Sequence, residues 1–194
     1  MKLEIDILSN PKEFVNEWSL YYDYGNTYLY TDNIKNGFDN YESFLNLFRW
    51  KNGIYNISKN KIKVIEKFWG NIDTLKQLKK EFDWEKFEQT FQPQDSSTIW
   101  KIFLLHIMNP FKFPIFDVHV FRFHHFITTK NIKEIPSNST QKYDYYKNHY
   151  LPWFTNLRDS YSLDPKKMDE SFFKFGQIIK PLKGLPVVLK NKNI

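Results

Sequence analysis

The hydrophobic positions of the chain recur mostly at the spacing of an α-helix, and most densely between residues 98 and 127. Apolar side chains there fall at three- and four-residue intervals on more than one face, which is typical of buried helices. Pro114 resists helix, and Asp117 belongs to the residue types that favour the N-cap position. The pattern therefore predicts a helix from Thr98 to Met108, a short connection, and a second helix from Val118. Asp117 is expected in the crease between these two buried helices.

The same spacing predicts further amphipathic helices on both sides of this central motif, whereas strand signals are few. The predicted helices cover residues 11–24, 41 to a stop at 51–53, 58–70, 74–82, 84–91, 143–157 and 171–179. Residues 28–30 are expected to be a short extended piece, 128–141 an exposed loop, and the region from Pro181 a lysine-rich tail. The chain is therefore expected to be all-α. We predict a single compact helical domain over residues 1–194 that can divide into two lobes, with residues 93–127 as its central motif.

Composition narrows the class of protein. The 194 residues suffice for one compact domain or two small lobes, and 41% hydrophobic with 26% charged residues is typical of a globular protein. Aromatic residues reach 19%, which leaves some rings available to stack on a planar ligand. The absence of cysteine excludes disulfides, thiolate zinc sites and cysteine-bound iron–sulfur clusters.

The charge balance points to an anionic partner. A net charge of +6 and an isoelectric point near 9.2 favour nucleic acid, although a chain rich in lysine and asparagine can be basic without such a partner. The N-terminal residues lack the apolar core of a signal peptide, and no apolar run reaches the roughly 18 residues of a membrane span. We expect a cytoplasmic monomer with no membrane segment.

The sharpest motif is Phe116-Asp-Val-His-Val-Phe-Arg122, which follows the predicted buried helix. This order resembles the central segment of the helix-hairpin-helix (HhH-GPD) DNA glycosylase superfamily. In that family a hairpin leads into a buried helix, and a Val-Asp-Thr-His-Val-x-Arg sequence follows. The segment 171–177 also looks like the terminal helix of some small members. The resemblance spans roughly residues 40 to 180 and implies a two-lobed, all-α helical bundle.

Under this resemblance Asp117 is the catalytic carboxylate. Breaking an N-glycosidic bond develops oxocarbenium charge on the sugar, which a fixed carboxylate stabilises while it orients or activates water. The lysine nucleophile of bifunctional members is replaced by Ile99, and Lys101 points about 200° around the helix from that position. The resemblance therefore implies base removal without strand cleavage. From the residues alone, Asp117 can also serve merely as an N-cap.

A glycosylase must flip the base out of the duplex into a pocket lined by aromatic rings, and it must hold the phosphates of the DNA. The backbone amides around Ser96, Ser97 and Thr98 are candidates for holding a phosphate, although the segment 92–97 lacks the glycines of the family hairpin. Arg122 is expected to brace the fold through an ion pair and is also kept as a candidate DNA contact. The other candidates are Trp50, Trp69, Trp100 and His119 for the substrate base, and Lys51 and Lys101 for DNA. The tryptophans can instead belong to the core, and His119 can be a buried, hydrogen-bonded histidine.

The histidines also raise a metal hypothesis, since the central motif holds His106, His119, His124 and His125 together with Asp117. The helical spacing of positions 119, 124 and 125 does not place three ligands on one face, so we expect neither a metal nor another cofactor.

The predicted function is that of a monofunctional DNA glycosylase that flips a damaged or modified base out of double-stranded DNA and leaves an abasic site. An oxidised or alkylated purine and a phage-type modified cytosine are both candidate substrates, which leaves both base-excision repair and anti-phage defence open. Three alternatives stay open: a non-catalytic nucleic-acid-binding module of the same fold, a metal-dependent nuclease that uses the histidines, and a helical interaction protein without nucleic acid.

Overall fold

The computed structural model of the protein describes residues 3–4, 10–91, 98–182 and 187–188. Helix accounts for 69% of the structure, so the all-α prediction is confirmed. Leu3–Glu4 (β1) and Val187–Val188 (β2) pair in parallel, with Leu3 opposite Val187. Two residues a strand are too few to form a layer of the fold.

The helices follow one another closely along the chain. They are α1 (Pro11–Ser19), α2 (Tyr28–Thr31), α3 (Tyr41–Asn52), α4 (Lys59–Trp69), α5 (Ile72–Lys80), α6 (Trp84–Thr90), α7 (Thr98–Met108), α8 (Val118–Thr129), α9 (Ser139–Tyr145), a π-helical turn (Tyr146–Tyr150), α10 (Leu151–Tyr161), α11 (Pro165–Ile178) and a 3₁₀ turn (Lys180–Leu182).

The chain forms two compact units. The terminal unit combines residues 1–22 with 110–194, and the middle unit consists of residues 23–109. The boundary after Asn109 falls inside the predicted central motif, so α7 and α8 belong to different units.

The terminal unit is organised around α11, which packs against both α1 and α8. Phe123 of α8 stacks on Phe172 of α11 with ring centroids 4.3 Å apart, and Phe14 of α1 meets Phe175 edge-on at 5.4 Å. All four rings are buried. Burying a phenylalanine contributes about 2 kcal/mol, so this cluster is a large part of what holds the three helices together.

The middle unit has its own aromatic core, centred on Phe48 of α3. This ring lies 5.0 Å from Phe44 on the same helix, and 5.2 and 5.5 Å from Trp100 and Phe103 of α7. Phe68 of α4 adds a further contact at 5.9 Å. The helical spacing of these aromatic residues therefore joins α3, α4 and α7 in one core.

Several predicted helix ends are confirmed by their caps. The side chains of Asn10 and Asn40 accept hydrogen bonds from the backbone N–H groups of Glu13 and Ser43 at the starts of α1 and α3. Gly53 ends α3 in the left-handed conformation, with φ +71°, which glycine adopts without strain.

Other predicted elements are wrong. Residues 28–30 are not extended but open the one-turn helix α2, which buries Leu29. The last long helix begins at Pro165 rather than at 171, because Asp164 caps it by accepting from the N–H of Lys167 and proline suits the first helical position. The expected loop is shorter than 128–141, since α8 runs to Thr129 and α9 begins at Ser139.

Candidate functional site

Asp117 occupies the N-cap position of α8, and its carboxylate is held by the helix itself. Its Oδ1 accepts from the backbone N–H groups of His119 at 2.8 Å and of Val120 at 3.1 Å. The residue is extended, with φ −158°, and its side chain is half-buried. The predicted cap is confirmed, and the two bonds fix the orientation of the carboxylate.

The segment that leads into Asp117 is anchored by side chains from later in the chain. The backbone N–H of Ile115 donates to both carboxylate oxygens of Asp169, each at 3.2 Å, and the hydroxyl of Tyr146 donates to the carbonyl of Pro114 at 3.4 Å. The buried ring of Phe116 lies 5.4 Å from that of Tyr150. The backbone before the cap is therefore fixed as well as the cap itself.

Burial and nearby carboxylates raise the pKa values of two buried tyrosines in this region. Burial is the main reason why the pKa of Tyr150 lies well above its usual value, and the charges of Asp169 and Asp117 raise it further. The pKa of Tyr146 is raised in the same way by burial and then by Asp169. Both side chains stay neutral phenols at physiological pH, and both carboxylates act on the hydroxyl of Tyr150.

Arg122 braces the terminal unit from one turn further along α8. Its Nη1 donates to the carbonyl of Gly176 at 2.7 Å, and its Nη2 pairs with the carboxylate of Glu134 at 2.9 Å. The side chain is 1% exposed. The predicted bracing ion pair is confirmed. A contact of this buried guanidinium with DNA stays a prediction.

His119 lies next to Arg122 and shares its surroundings. Its Nδ1 is 3.1 Å from Nη1 of Arg122, and its ring meets Phe173 edge-on at 4.8 Å. Because an arginine only donates, Nδ1 must be the accepting nitrogen, which leaves the proton of the neutral ring on Nε2. The predicted hydrogen-bonded histidine is confirmed, and its contact with a substrate base stays a prediction.

The other histidines of the motif have separate partners rather than a common centre. His106 lies 2.7 Å from the hydroxyl of Tyr30, and His124 lies 2.6 Å from that of Tyr145. His125 contacts the carbonyl of Asn131 at 2.9 Å. Within the described ranges, no group of three or more His, Asp or Glu side chains could hold a metal ion.

The predicted base-stacking tryptophans of the middle unit lie mostly in its core. Trp50 and Trp100 are only 6% and 7% exposed, which agrees with the alternative that they belong to the core, and their stacking on a substrate base stays a prediction. Trp50 packs 4.5 Å from the ring of Tyr30. Trp69 is half-buried against Tyr41, at 5.6 Å, and its role with a base stays a prediction.

The predicted phosphate contacts also differ in their exposure to solvent. Thr98 and Lys101 are each 1% exposed, so their contacts with DNA stay predictions that burial does not favour. The Nζ of Lys101 lies 5.4 Å from the ring of Phe87, a cation–π contact within the core. Lys51 is half-exposed and remains a candidate, whereas Ser96 and Ser97 lie outside the described residues.

The structure thus groups the predicted site residues by unit. Asp117, His119 and Arg122 belong to the terminal unit, and Trp50, Lys51, Trp69, Thr98, Trp100 and Lys101 belong to the middle unit. Sequence reasoning missed the residues that support Asp117 from α11 and the π-helical turn, namely Asp169, Gly176, Tyr146 and Tyr150. The Asp-Pro pair at 164–165 was the available signal, because it starts the helix that carries two of them.

Comparisons of the chain with protein-family models, with curated proteins and with solved structures found no match. None of the described helices combines the length and the apolar character that crossing a membrane requires.

Proposed function

We propose that the protein is a monofunctional DNA glycosylase whose catalytic group is the carboxylate of Asp117. The observation that carries the proposal is the pair of backbone hydrogen bonds on Oδ1, which hold this half-buried carboxylate at the N-terminus of α8. The substrate is double-stranded DNA with a damaged or modified base, bound by a cytoplasmic monomer.

A carboxylate held in this way suits the cleavage of an N-glycosidic bond. As the base departs, positive charge develops on the sugar, and a negative group that is already oriented stabilises it without reorganisation. The same group can orient the water that attacks the sugar. The anchors on Pro114 and Ile115 support the proposal because a site works only if its supporting residues hold it still.

Base removal without strand cleavage is the expected outcome. Cleavage by a glycosylase needs an amine that attacks the sugar, and Ile99 stands where the resemblance expects that lysine. Lys101, two residues on, has its Nζ inside the aromatic core of the middle unit.

The test compares two substitutions of N-cap aspartates by asparagine. Asparagine caps a helix about as well as aspartate, so Asp117→Asn keeps the helix start while it removes the charge. Asp164→Asn is the control, because Asp164 is also an aspartate at a helix N-cap, accepting from Lys167 N at 2.9 Å at the start of α11, and is exposed.

Wild type and both variants are incubated in EDTA with duplexes that carry oxidised, alkylated or naturally modified bases, and alkali then cleaves abasic sites. We expect alkali-dependent cleavage by wild type and Asp164→Asn, and a loss on the order of 10²-fold or more in Asp117→Asn. Equal cleavage by Asp117→Asn would overturn the catalytic assignment, and cleavage without alkali would overturn the monofunctional one.

A second candidate is a nucleic-acid-binding module without catalysis. The observation in its favour is that both hydrogen bonds that Oδ1 of Asp117 accepts are ordinary helix-capping bonds, and that Trp50 and Trp100 lie in the core. This candidate predicts salt-sensitive DNA binding that Asp117→Asn leaves unchanged, and no base release from any duplex in the pool.

A further inference from the structure

The turn between α3 and α4 presents two apolar side chains to solvent. Ile54 is 66% exposed and Tyr55 is 53% exposed, and the two residues are consecutive and follow Gly53, which ends α3. Exposed apolar side chains are common singly, but an adjacent pair on a short turn marks a contact surface when the turn is held in place.

This turn is held in place by polar contacts. Asn52 bridges it, since its Nδ2 donates to the carbonyl of Ile54 at 3.0 Å and its Oδ1 accepts from Nζ of Lys61 at 2.7 Å. Gly53 adopts φ +71°, and a Cβ at this position would come within 2.9 Å of the hydroxyl of Tyr24. The two exposed side chains are therefore displayed by an ordered turn.

Basic residues flank Ile54 and Tyr55 along the chain. Residues 43–65 contain five basic residues, namely Arg49, Lys51, Lys59, Lys61 and Lys63, and no acidic residue. Lys59, Lys61 and Lys63 are exposed. The guanidinium carbon of Arg49 lies 4.5 Å from the ring centroid of Tyr55, and its Nη1 pairs with the carboxylate of Glu42, so the positive charge available on this surface is that of the exposed lysines. The rest of the middle unit is different, because residues 23–42 and 66–109 carry seven basic and eleven acidic residues.

We propose that the exposed ring of Tyr55, backed by Arg49, stacks on an unpaired base of a nucleic acid while the neighbouring lysines hold its phosphates. A guanidinium covers one face of the ring, and no second aromatic ring contacts Tyr55 within the described part of the chain. A base in a duplex has both faces covered by its neighbours, so a displayed ring selects an unpaired base. The asparagines at 52, 56 and 60 supply a polar rim.

An acidic membrane surface would also attract lysines, but it favours a larger apolar surface than two side chains provide. Nucleic acid fits better, because stacking on one ring and a row of phosphate contacts are its usual recognition elements. The proposal does not depend on Asp117 and holds whether or not the protein cleaves glycosidic bonds.

The test measures binding of fluorescein-labelled dT12 by the full-length protein, using fluorescence anisotropy. We expect Tyr55→Ala to weaken binding by about tenfold, and Tyr55→Phe and Tyr55→Trp to retain it, because both keep a ring. Tyr28→Ala is the matched control: Tyr28 is 55% exposed in the same unit, and it should bind like wild type. Unchanged binding by Tyr55→Ala, or an equal loss in Tyr28→Ala, would overturn the proposal.

The salt dependence of binding distinguishes lysines that contact phosphates from lysines that do not. Lys59→Ala and Lys63→Ala should each lower the slope of log K against log salt by about 0.7 for a single strand. Lys76→Ala should not, although Lys76 is exposed in the same unit.

Tyr55→Ala should weaken binding of a 12-base-pair duplex less than binding of dT12. An equal loss of affinity would contradict selection of an unpaired base. Loss of binding to phosphatidylserine vesicles in Tyr55→Ala, with dT12 binding unchanged, would assign the turn to a membrane instead. Failure of the glycosylase proposal is measured separately, by base release from the modified duplexes, and does not affect the dT12 comparison.

Discussion

Gly176 of α11 lies directly against the backbone of His119 of α8. A Cβ on Gly176 would meet the carbonyl oxygen of His119 far inside van der Waals contact, and the carbonyl carbon and Cα of His119 lie just behind. The two helices approach each other this closely only because residue 176 has no side chain. The contact occurs two residues after the Asp117 cap, so it sets the position of the candidate site.

Gly176→Ala is therefore expected to destabilise the protein by about 3 kcal/mol, at the upper end of overpacking effects, because backbone must move rather than a side chain. Gly25→Ala is the control, since a Cβ at Gly25 would meet nothing within 4 Å. Urea unfolding of both variants measures the difference. A Gly176→Ala variant as stable as Gly25→Ala would mean that the two helices separate at little cost.

Arg122 provides the second link between these helices. Arg122→Met should cost about 2–4 kcal/mol, because the carbonyl of Gly176 loses its donor inside the unit and the bridge to Glu134 is lost. Glu134→Gln should cost less than about 1 kcal/mol, since the amide oxygen of glutamine can still accept from Nη2 of Arg122 and Glu134 is 40% exposed, where water screens the lost charge. Chemical denaturation of the two variants tests this order, and a larger loss in Glu134→Gln would contradict it.

Tyr145 and Tyr150 are expected to respond differently to the loss of a hydroxyl. The hydroxyl of Tyr145 lies 2.6 Å from Nδ1 of His124, so Tyr145→Phe leaves a buried nitrogen without its partner and should cost about 1–3 kcal/mol. Among the described residues the buried hydroxyl of Tyr150 has no hydrogen-bond partner, so Tyr150→Phe should be neutral or slightly stabilising. Thermal unfolding of the pair gives the comparison, and a clear loss in Tyr150→Phe would reveal a bond to water at this hydroxyl.

His124 should make stability depend on pH. Burial, followed by the charges of His149 and His125, lowers its pKa from 6.5 to about 4. The folded state therefore prefers the neutral ring, and its stability is complete above pH 6.5 and decreases as the pH falls toward 4. The loss between pH 7 and pH 4 from this group is about 3 kcal/mol.

Denaturant unfolding across this range should show a steeper decline for wild type than for His124→Gln. The ring resonances of His124, followed by NMR in the folded protein, should stay those of the neutral form down to about pH 5. Equal pH profiles for the two proteins, or titration of His124 near pH 6.5, would contradict the assignment.

Local signals in the sequence were sufficient for most of the helices but not for the surroundings of the site. Asn40, Gly53 and Asp117 define helix ends through contacts within three residues, so their pattern is readable along the chain. Burial of Trp50 and Lys101 depends on which helix faces which, and no local pattern specifies that. Asp169 and Gly176 reach their partners across 54 residues, which sequence spacing does not reveal.

The make-up of the terminal unit also bears on how the protein is synthesised. Asn16 of α1 accepts a hydrogen bond from Lys167 of α11, 151 residues later in the chain. A ribosome completes the contiguous middle unit before it has made α11, whereas Phe14 of α1 is only partly covered until then, because its ring packs on Phe175 of α11 as well as on Phe123 of α8. During elongation the nascent chain therefore exposes part of the apolar face of α1 until α11 leaves the exit tunnel.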